Sequence, residues 1–406
     1  MATDDDPIML RSSRSSLVRC CATAAILLSI ILYSCTTSAS TSTSTTSREF
    51  DLIIFGATGY VGTLLTALLF DDRTPFLSLA TGLPLTSGAK GMRFALAGRN
   101  ADKLRQLRQR YADMGLDISG VEIIVADLDD PASLDRLAAR TSVVLTTVAI
   151  ASVYEGKGFE YAGSLLDSCI RHATHLIDLD GELWLDDTEM LTRADAAARK
   201  SGAVYSPACG EVSVVPDMAI YKAWVALGRA ALKSATVRHY YFDGRSPPGP
   251  ADDEPSMWEP YDAPVIRLTA EALGYGDGFA FAERSPTNAA HADFAKNKNE
   301  GVRSVAAFVS AADVESVDGR TVTTRISGGE IDFEDTARLA MAMALSLVRD
   351  AVPAKRTGGV WTPAAGWGDV LLERLEDIGL GVSLTKEGET AATVMRSARE
   401  RYRGKY

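Results

Sequence analysis

Cysteine, histidine and positive charge are all scarce in this chain. Of its 406 residues five are cysteine and four are histidine, and 53 acidic residues face 42 basic ones, for a formal net charge of −11. Five cysteines in so long a chain make no disulfide scaffold. Cys20, Cys21 and Cys35 lie in the N-terminal segment, and only Cys169 and Cys209 fall in the body. There is no CxxC pair, and His172, His175, His239 and His291 are scattered, so the spacing predicts no metal site. Nucleic acid is excluded as a partner because phosphate binding needs a basic face. The one basic stretch, Arg396, Arg399, Arg401, Arg403 and Lys405, is broken by Glu400 and reads as a solvated helix end. Internal repeats are lacking as well.

Apolar residues, by contrast, make up 46% of the chain, enough to bury two cores of ordinary size. Residues 1–48 stand outside them. Arg11, Arg14 and Arg19 precede an uncharged stretch from Cys20 to Cys35 centred on Ile26–Leu32, and Thr36–Ser47 is Ser and Thr apart from Ala39. A basic flank, an apolar stretch and small residues resemble a secretory signal. The stretch is short of the ~20 residues of a comfortable membrane span. A signal anchor and an organelle-targeting sequence therefore stay open beside a cleaved signal. Localisation is expected in the secretory pathway, in an organelle or at a membrane through residues 20–35, with a cytoplasm-facing membrane or lipid-droplet surface as the alternative. The Ser/Thr tract reads as a linker.

The apolar run Asp51–Phe55 opens onto Gly56-Ala57-Thr58-Gly59-Tyr60-Val61-Gly62, and Thr63–Phe70 reads as helix. Strand, glycine turn and helix in that order make a dinucleotide-binding turn. The first glycine allows the bend, the second admits the pyrophosphate to the backbone, and the third lets helix and strand close up. The helix N-terminus offers N–H groups and a positive dipole end to the phosphates. Gly56, Thr58, Gly59, Tyr60, Val61 and Gly62 are the expected phosphate-side residues of a doubly wound α/β Rossmann domain. The next strand, Arg93–Ala97, ends in Gly98-Arg99-Asn100. An NAD site would usually carry a carboxylate there for the ribose 2′-hydroxyl. Arg99, with Lys103 one turn on, fits a 2′-phosphate instead, so NADP(H) is the expected cofactor. Arg99 as a mere helix cap is the competing reading. Asp127, after strand Glu122–Ala126, is placed for the adenine amino group or for a helix cap. Thr146, Thr147 and Val148, at the end of strand Ser142–Thr147, are placed beside the second ribose and the nicotinamide.

The segments FDLIIFGATGYVG (50–62), FALAGRNADKL (94–104), VADLDDPASL (125–134), HLIDLDGE (175–182), CGEVSVVPDMA (209–219) and GGVWTPAAGWGDVLLERLEDIGL (358–380) resemble the saccharopine dehydrogenase-like oxidoreductases, particularly the branch with trans-acting enoyl reductases of lipid synthesis. The resemblance implies an NADP(H)-dependent hydride transfer to or from a small or lipid-like substrate. There are departures on the nicotinamide side. The family's Gly-Pro-Tyr is Ala149-Ile150-Ala151 here. Its Gly-Phe-Asp-Ser-hydrophobic-Pro-Ser-Asp is Gly210-Glu211-Val212-Ser213-Val214-Val215-Pro216-Asp217, with Ser213 and Asp217 kept and the proline displaced by one.

Downstream, Gly156–Ala173 reads as helix with Cys169 in its apolar stripe, Thr174–Asp180 as a strand and Asp186–Ser201 as helix. Asp180 and Glu182, at that strand's end, are proton carriers or turn residues; both readings stand. Ala203–Ala208 is the last Rossmann strand. Segments 235–242, 302–309 and 321–326 are rich in β-formers, 243–263 reads as a long loop, and Phe333–Arg349 returns to helix. The expected organisation is a Rossmann domain at 49–215, a second α+β domain with returning helices at 216–382 and a charged tail at 383–406. Tyr154, Cys209 and Ser213 are the candidates for protonating or polarising substrate. A dinucleotide-binding sensor or scaffold at a membrane, without turnover, is the first alternative. A saccharopine-type amino-acid dehydrogenase is the second, disfavoured because 243–300 offers few basic residues for several carboxylates.

Overall fold

Strand β1 (Phe50–Phe55) is apolar at every position but Asp51 because both its faces are covered. Leu52 and Ile54 point into one core, and Ile53 and Phe55 into another. The structure, a computed structural model, describes residues 48–70, 91–148, 158–181, 185–242, 255, 256, 258–284, 307–329 and 333–385. The chain divides into 1–47 and 48–406. The expected targeting segment, most of the loop at 71–91, Tyr154, Glu182 and the charged tail beyond residue 385 lie outside the described residues. Among the described residues no helix is long and apolar enough to cross a membrane.

β1 pairs in parallel with β2 (Phe94–Gly98) and β4 (Thr141–Thr146). The sheet continues to β3 (Glu122–Val125) on one side and to β5 (His175–Asp178), β6 (Val204–Ser206) and β11 (Gly359–Val360) on the other. The order β3-β2-β1-β4-β5-β6 is that of a doubly wound α/β sheet, with its switch point between β1 and β4. The fold class expected from the sequence is the one observed. Helices α1 (Tyr60–Leu68), α2 (Ala101–Asp113), α3 (Pro131–Ala139), α4 (Gly158–Arg171) and α5 (Thr188–Ser201) connect the strands. In α2 the buried residues are Leu104, Leu107 and Tyr111, one stripe at helical spacing.

After β6, helix α6 (Glu211–Ala226) is buried over most of its surface. It lies under a second sheet of β7 (Leu232–Phe242), β8 (Ala280–Arg284), β9 (Ala307–Ser316), β10 (Thr321–Gly328) and β12 (Gly381–Leu384), ordered β12-β10-β9-β7-β8. Thr324 Oγ1 on β10 donates to the Ala219 carbonyl of α6 at 2.6 Å. The first sheet's core on the Leu52 side runs without a break through α6 to Val237, Ala312 and Ile326 of the second sheet. The division expected at 215/216 thus falls inside α6, and β11, from beyond residue 350, joins the first sheet.

Two expected boundaries fall elsewhere in the structure. The strand read at 302–309 is described from Ala307, residues 302–306 lying outside the described residues, and it runs on to Ser316. The loop read at 243–263 gives way at its end to helix α7 (Glu259–Leu273). Pro260 and Pro264 disguised that helix. Pro260 occupies the first turn, where a missing N–H costs nothing.

The last segments pack back as α8 (Glu334–Arg349), α9 (Pro353–Thr357), α10 (Pro363–Trp367) and α11 (Asp369–Asp377). Trp367 is wholly buried, and its Nε1 donates to the Met343 carbonyl at 3.0 Å. Trp367→Ala is therefore expected to cost about 3–5 kcal/mol, as for large aromatics removed from a core. Denaturant unfolding of both proteins measures it, and a loss under about 1 kcal/mol would show that the C-terminal segments are not part of the core.

Candidate dinucleotide site

The turn after β1 is built on two close approaches. Gly56 has φ +94°, and a Cβ there would overlap Thr147 Oγ1 and stand 2.9 Å from Val148 Cγ2. Thr147 Oγ1 in turn donates to the Gly56 carbonyl at 3.2 Å. At Gly62 a Cβ would overlap the Gly56 carbonyl and stand 2.8 Å from Ala57 Cα, so α1 rests directly on the turn. Gly59 differs: a Cβ there meets only the Gly56 carbonyl, at 3.3 Å. Thr58, Gly59 and Tyr60 are exposed at the tip, whereas Val61 and Gly62 are buried. No side chain caps α1, which leaves its first turn suited to an anion. The structure thus brings Gly56, Thr147 and Val148 together at the switch point between β1 and β4.

Arg99 follows β2 directly and is exposed. The cap of α2 is Asn100, whose Oδ1 accepts from Lys103 N at 3.0 Å, so Arg99 is not needed for that task. Lys103 is exposed on the first turn of the same helix. Asp127 is half-buried and accepts from Asp129 N at 3.2 Å, while the cap of α3 is Asp130. Thr146 is buried, and its Oγ1 accepts from Val148 N at 3.3 Å.

Beyond β4 the sheet edge carries buried acids. Asp178, at the end of β5, is pushed up to about 8 by burial and by the neighbouring Asp180 charge. Asp180 N and the Tyr205 hydroxyl donate to it at 3.1 Å and 3.3 Å and pull the other way. Asp180 is also raised, by burial, and its Oδ2 is buried with no hydrogen-bond partner among the described residues. Leu179 N reaches the Thr146 carbonyl at 3.4 Å, which ties this edge to the end of β4.

Cys209 lies wholly in the core and donates to the Ser206 carbonyl at 3.2 Å. Cys169 is in the core as the sequence implies, and burial pushes its thiol up. Ser213, on the first turn of α6, is buried and donates to Asp262 Oδ1 of α7 at 2.7 Å. Asp217 is buried and pushed up to about 7 by burial, and it accepts from Ala364 N at the start of α10 at 2.8 Å. No local motif marks Asp262 or Glu283, and Asp178, though inside the segment HLIDLDGE, carries no local sign of its burial. Sequence spacing also predicted no metal-ligating group. Folding nonetheless brings His239, Asp262 and Glu283 together, with ligand atoms within 4.8 Å of one another.

Gly59→Ala is expected to fold and to melt closer to the parent than Gly62→Ala, since only the Gly56 carbonyl, 3.3 Å from the new Cβ, has to give, while losing dinucleotide binding. Gly62→Ala is expected to lower the melting temperature, because backbone atoms of the turn cannot move aside. Calorimetric titration together with thermal melts separates the two outcomes, and a stable Gly62→Ala would refute the close packing of α1. Asp178 sets a second expectation. Its folded pKa lies above its unfolded value, so its contribution is full below about pH 4 and is lost as pH rises to about 8. Asp178→Asn, which mimics the protonated acid, should flatten the fall in melting temperature across that window.

No protein-family model matches the chain. It is 34% identical over 180 residues to a trans-acting enoyl reductase of Mycobacterium leprae (strain TN), and 31% identical over 178 residues to one of Mycobacterium ulcerans (strain Agy99). Each alignment covers 44% of this chain and 36% of the relative, so the match spans little more than a third of those proteins. Among solved structures, apo saccharopine dehydrogenase (L-Glu forming) from Saccharomyces cerevisiae superposes with a TM-score of 0.51 at 10% identity, covering 83% of this chain and all of that one. The chain is thus similar in sequence to trans-acting enoyl reductases and shares its fold with saccharopine dehydrogenase.

Proposed function

We propose that the chain is an NADP(H)-dependent oxidoreductase that reduces or oxidises a small or lipid-like substrate, with enoyl reduction as the reaction to test first. The observation that carries this reading is Arg99, exposed at the end of β2, with no hydrogen bond or ion pair to any described residue while Asn100 caps the helix. A guanidinium held there answers a 2′-phosphate. The names of the relatives support the reaction class.

A bound nicotinamide would supply the hydride in reduction and accept it in oxidation. The chain's residues do the rest. The N-terminus of α1 and the turn at Gly59 bind the pyrophosphate, and Arg99 with Lys103 reads the 2′ substituent. Asp127 meets the adenine, and Thr146, Thr147 and Val148 line the path to the nicotinamide. Asp180, half-buried at the same sheet edge with its carboxyl raised by burial, is the group assigned to pass a proton to the substrate, in preference to Cys209, which is wholly buried in the core. We propose, further, that residues 20–35 hold the protein at a membrane, where a lipid-like substrate is available. Sedimentation of the tagged full-length chain with membranes checks this, and a wholly soluble full-length protein would remove it.

Charge-assisted hydrogen bonds contribute roughly 1.5–3 kcal/mol each, so NADPH is expected to bind on the order of tenfold to a hundredfold more tightly than NADH. Arg99→Ala should remove most of that preference, and the preference should shrink as salt is raised. Dissociation constants for both cofactors, in both proteins, at two salt concentrations decide it. Equal losses for the two cofactors would refute Arg99 as the discriminator. Tight NADPH binding with no oxidation of NADPH by enoyl thioesters or by saccharopine-type imines would point instead to a sensor without turnover.

A further inference from the structure

We propose that His239, Asp262 and Glu283 form a site for one divalent transition-metal ion, zinc being the ion their chemistry suits best. The three come from different elements, β7, α7 and β8, and are 3%, 0% and 0% exposed. Val237 pairs with Glu283, so His239 and Glu283 stand on one face of the sheet, the face turned toward the core. His239 Nε2 lies 2.8 Å from Glu283 Oε1, and all three ligand atoms fall within 4.8 Å of one another. Tetrahedral ligands about 2.1 Å from zinc stand about 3.4 Å apart, so the group closes on an ion by shifts of about an ångström.

Charge favours the same conclusion. Two carboxylates and one imidazole share a fully buried space. Buried carboxylates are stable only where a cation or a proton balances them, and a divalent cation supplies that balance here. The surrounding residues are arranged as ligand supports. Ser310 Oγ lies 2.7 Å from His239 Nδ1, which fixes the ring and, with Nδ1 as donor, turns the Nε2 lone pair inward. Ser213 donates to Asp262 Oδ1 at 2.7 Å and orients that carboxylate. An imidazole with two carboxylates suits zinc, manganese or ferrous iron better than calcium or copper(I). Ser213 stands on the first turn of α6, just after Gly210, so the site adjoins the segment that leaves the edge of the first sheet.

The test uses the full chain, stripped with chelator and titrated with Zn²⁺ and, separately, with Co²⁺. Zinc is expected to raise the melting temperature, and cobalt to give visible d–d bands of nitrogen and oxygen ligation. His239→Ala and Glu283→Gln should abolish both responses. Ser310→Ala, which keeps all three ligands, should weaken zinc by about 10–100-fold. Circular dichroism shows which variants fold, and the Ser310→Ala comparison stands even where a ligand variant does not. The proposal is overturned if the wild-type chain gives neither a shift nor a band. It is equally overturned if both persist in His239→Ala, which would place the metal elsewhere, for instance on the N-terminal cysteines. Glu283→Gln melting higher than wild type without metal responses in either would show that a shared proton, not an ion, balances the cluster.

Discussion

A parallel sheet has to be covered on both faces, and in this chain the cover of one face comes largely from the far end of the sequence. Helix α8 has fourteen buried residues among its sixteen. Its Leu339, Ala340 and Met343 share a core with Leu52, Ile54 and Leu145 of the first sheet. Without α8, those strands would expose a continuous apolar surface. The same helix fixes the surroundings of the glycine turn. Phe333, at its start, meets Tyr60 edge to face with ring centres 4.8 Å apart. Thr336 Oγ1 accepts from Glu211 N at 3.0 Å and so holds the beginning of α6. A buried pair between Arg338 and Asp335, at 2.6 Å, closes the N-terminal turn of α8.

Buried polar groups mark where the two sheets are joined. Asp217 on α6 ties to the N-terminus of α10, Thr324 ties β10 to α6, and Ser213 ties α6 to α7. Each removes a polar group from water only because a partner meets it. Burial opposes the charge of Asp178 and Asp217 and raises both carboxyls, Asp178 to about 8 and Asp217 to about 7. The His239, Asp262 and Glu283 group follows the rule through mutual contact.

Much of the first sheet was legible because its strands are short apolar runs bounded by turn signals. Phe50–Phe55, Phe94–Gly98 and Thr141–Thr146 lie within a residue or so of their expected limits. The glycine turn was legible because its spacing encodes a contact: at Gly56 and Gly62 any side chain meets atoms already in place. The second half was less legible. Helix α7 opens with Trp-Glu-Pro, which reads as loop, and β9 runs on to Ser316, seven residues past the end its β-forming composition suggested. The two-residue strand β11 carries no local signal, and only its pairing with Val204 and Tyr205 makes it a strand.

The sequence by itself determined the dinucleotide turn, the cation after β2 and the alternation of strand and helix. These are local properties, set by neighbouring residues and by backbone sterics. Only the tertiary structure decided that Asn100 rather than Arg99 caps α2, that Cys209 is in the core, and that Ser213 faces Asp262. It alone gathered His239, Asp262 and Glu283 from separate segments into one buried space. The physical reason is burial. Whether an acid keeps its proton, or a histidine gains a ligand, depends on the low-dielectric surroundings and on partners supplied by distant parts of the chain. No pattern within a single segment records either.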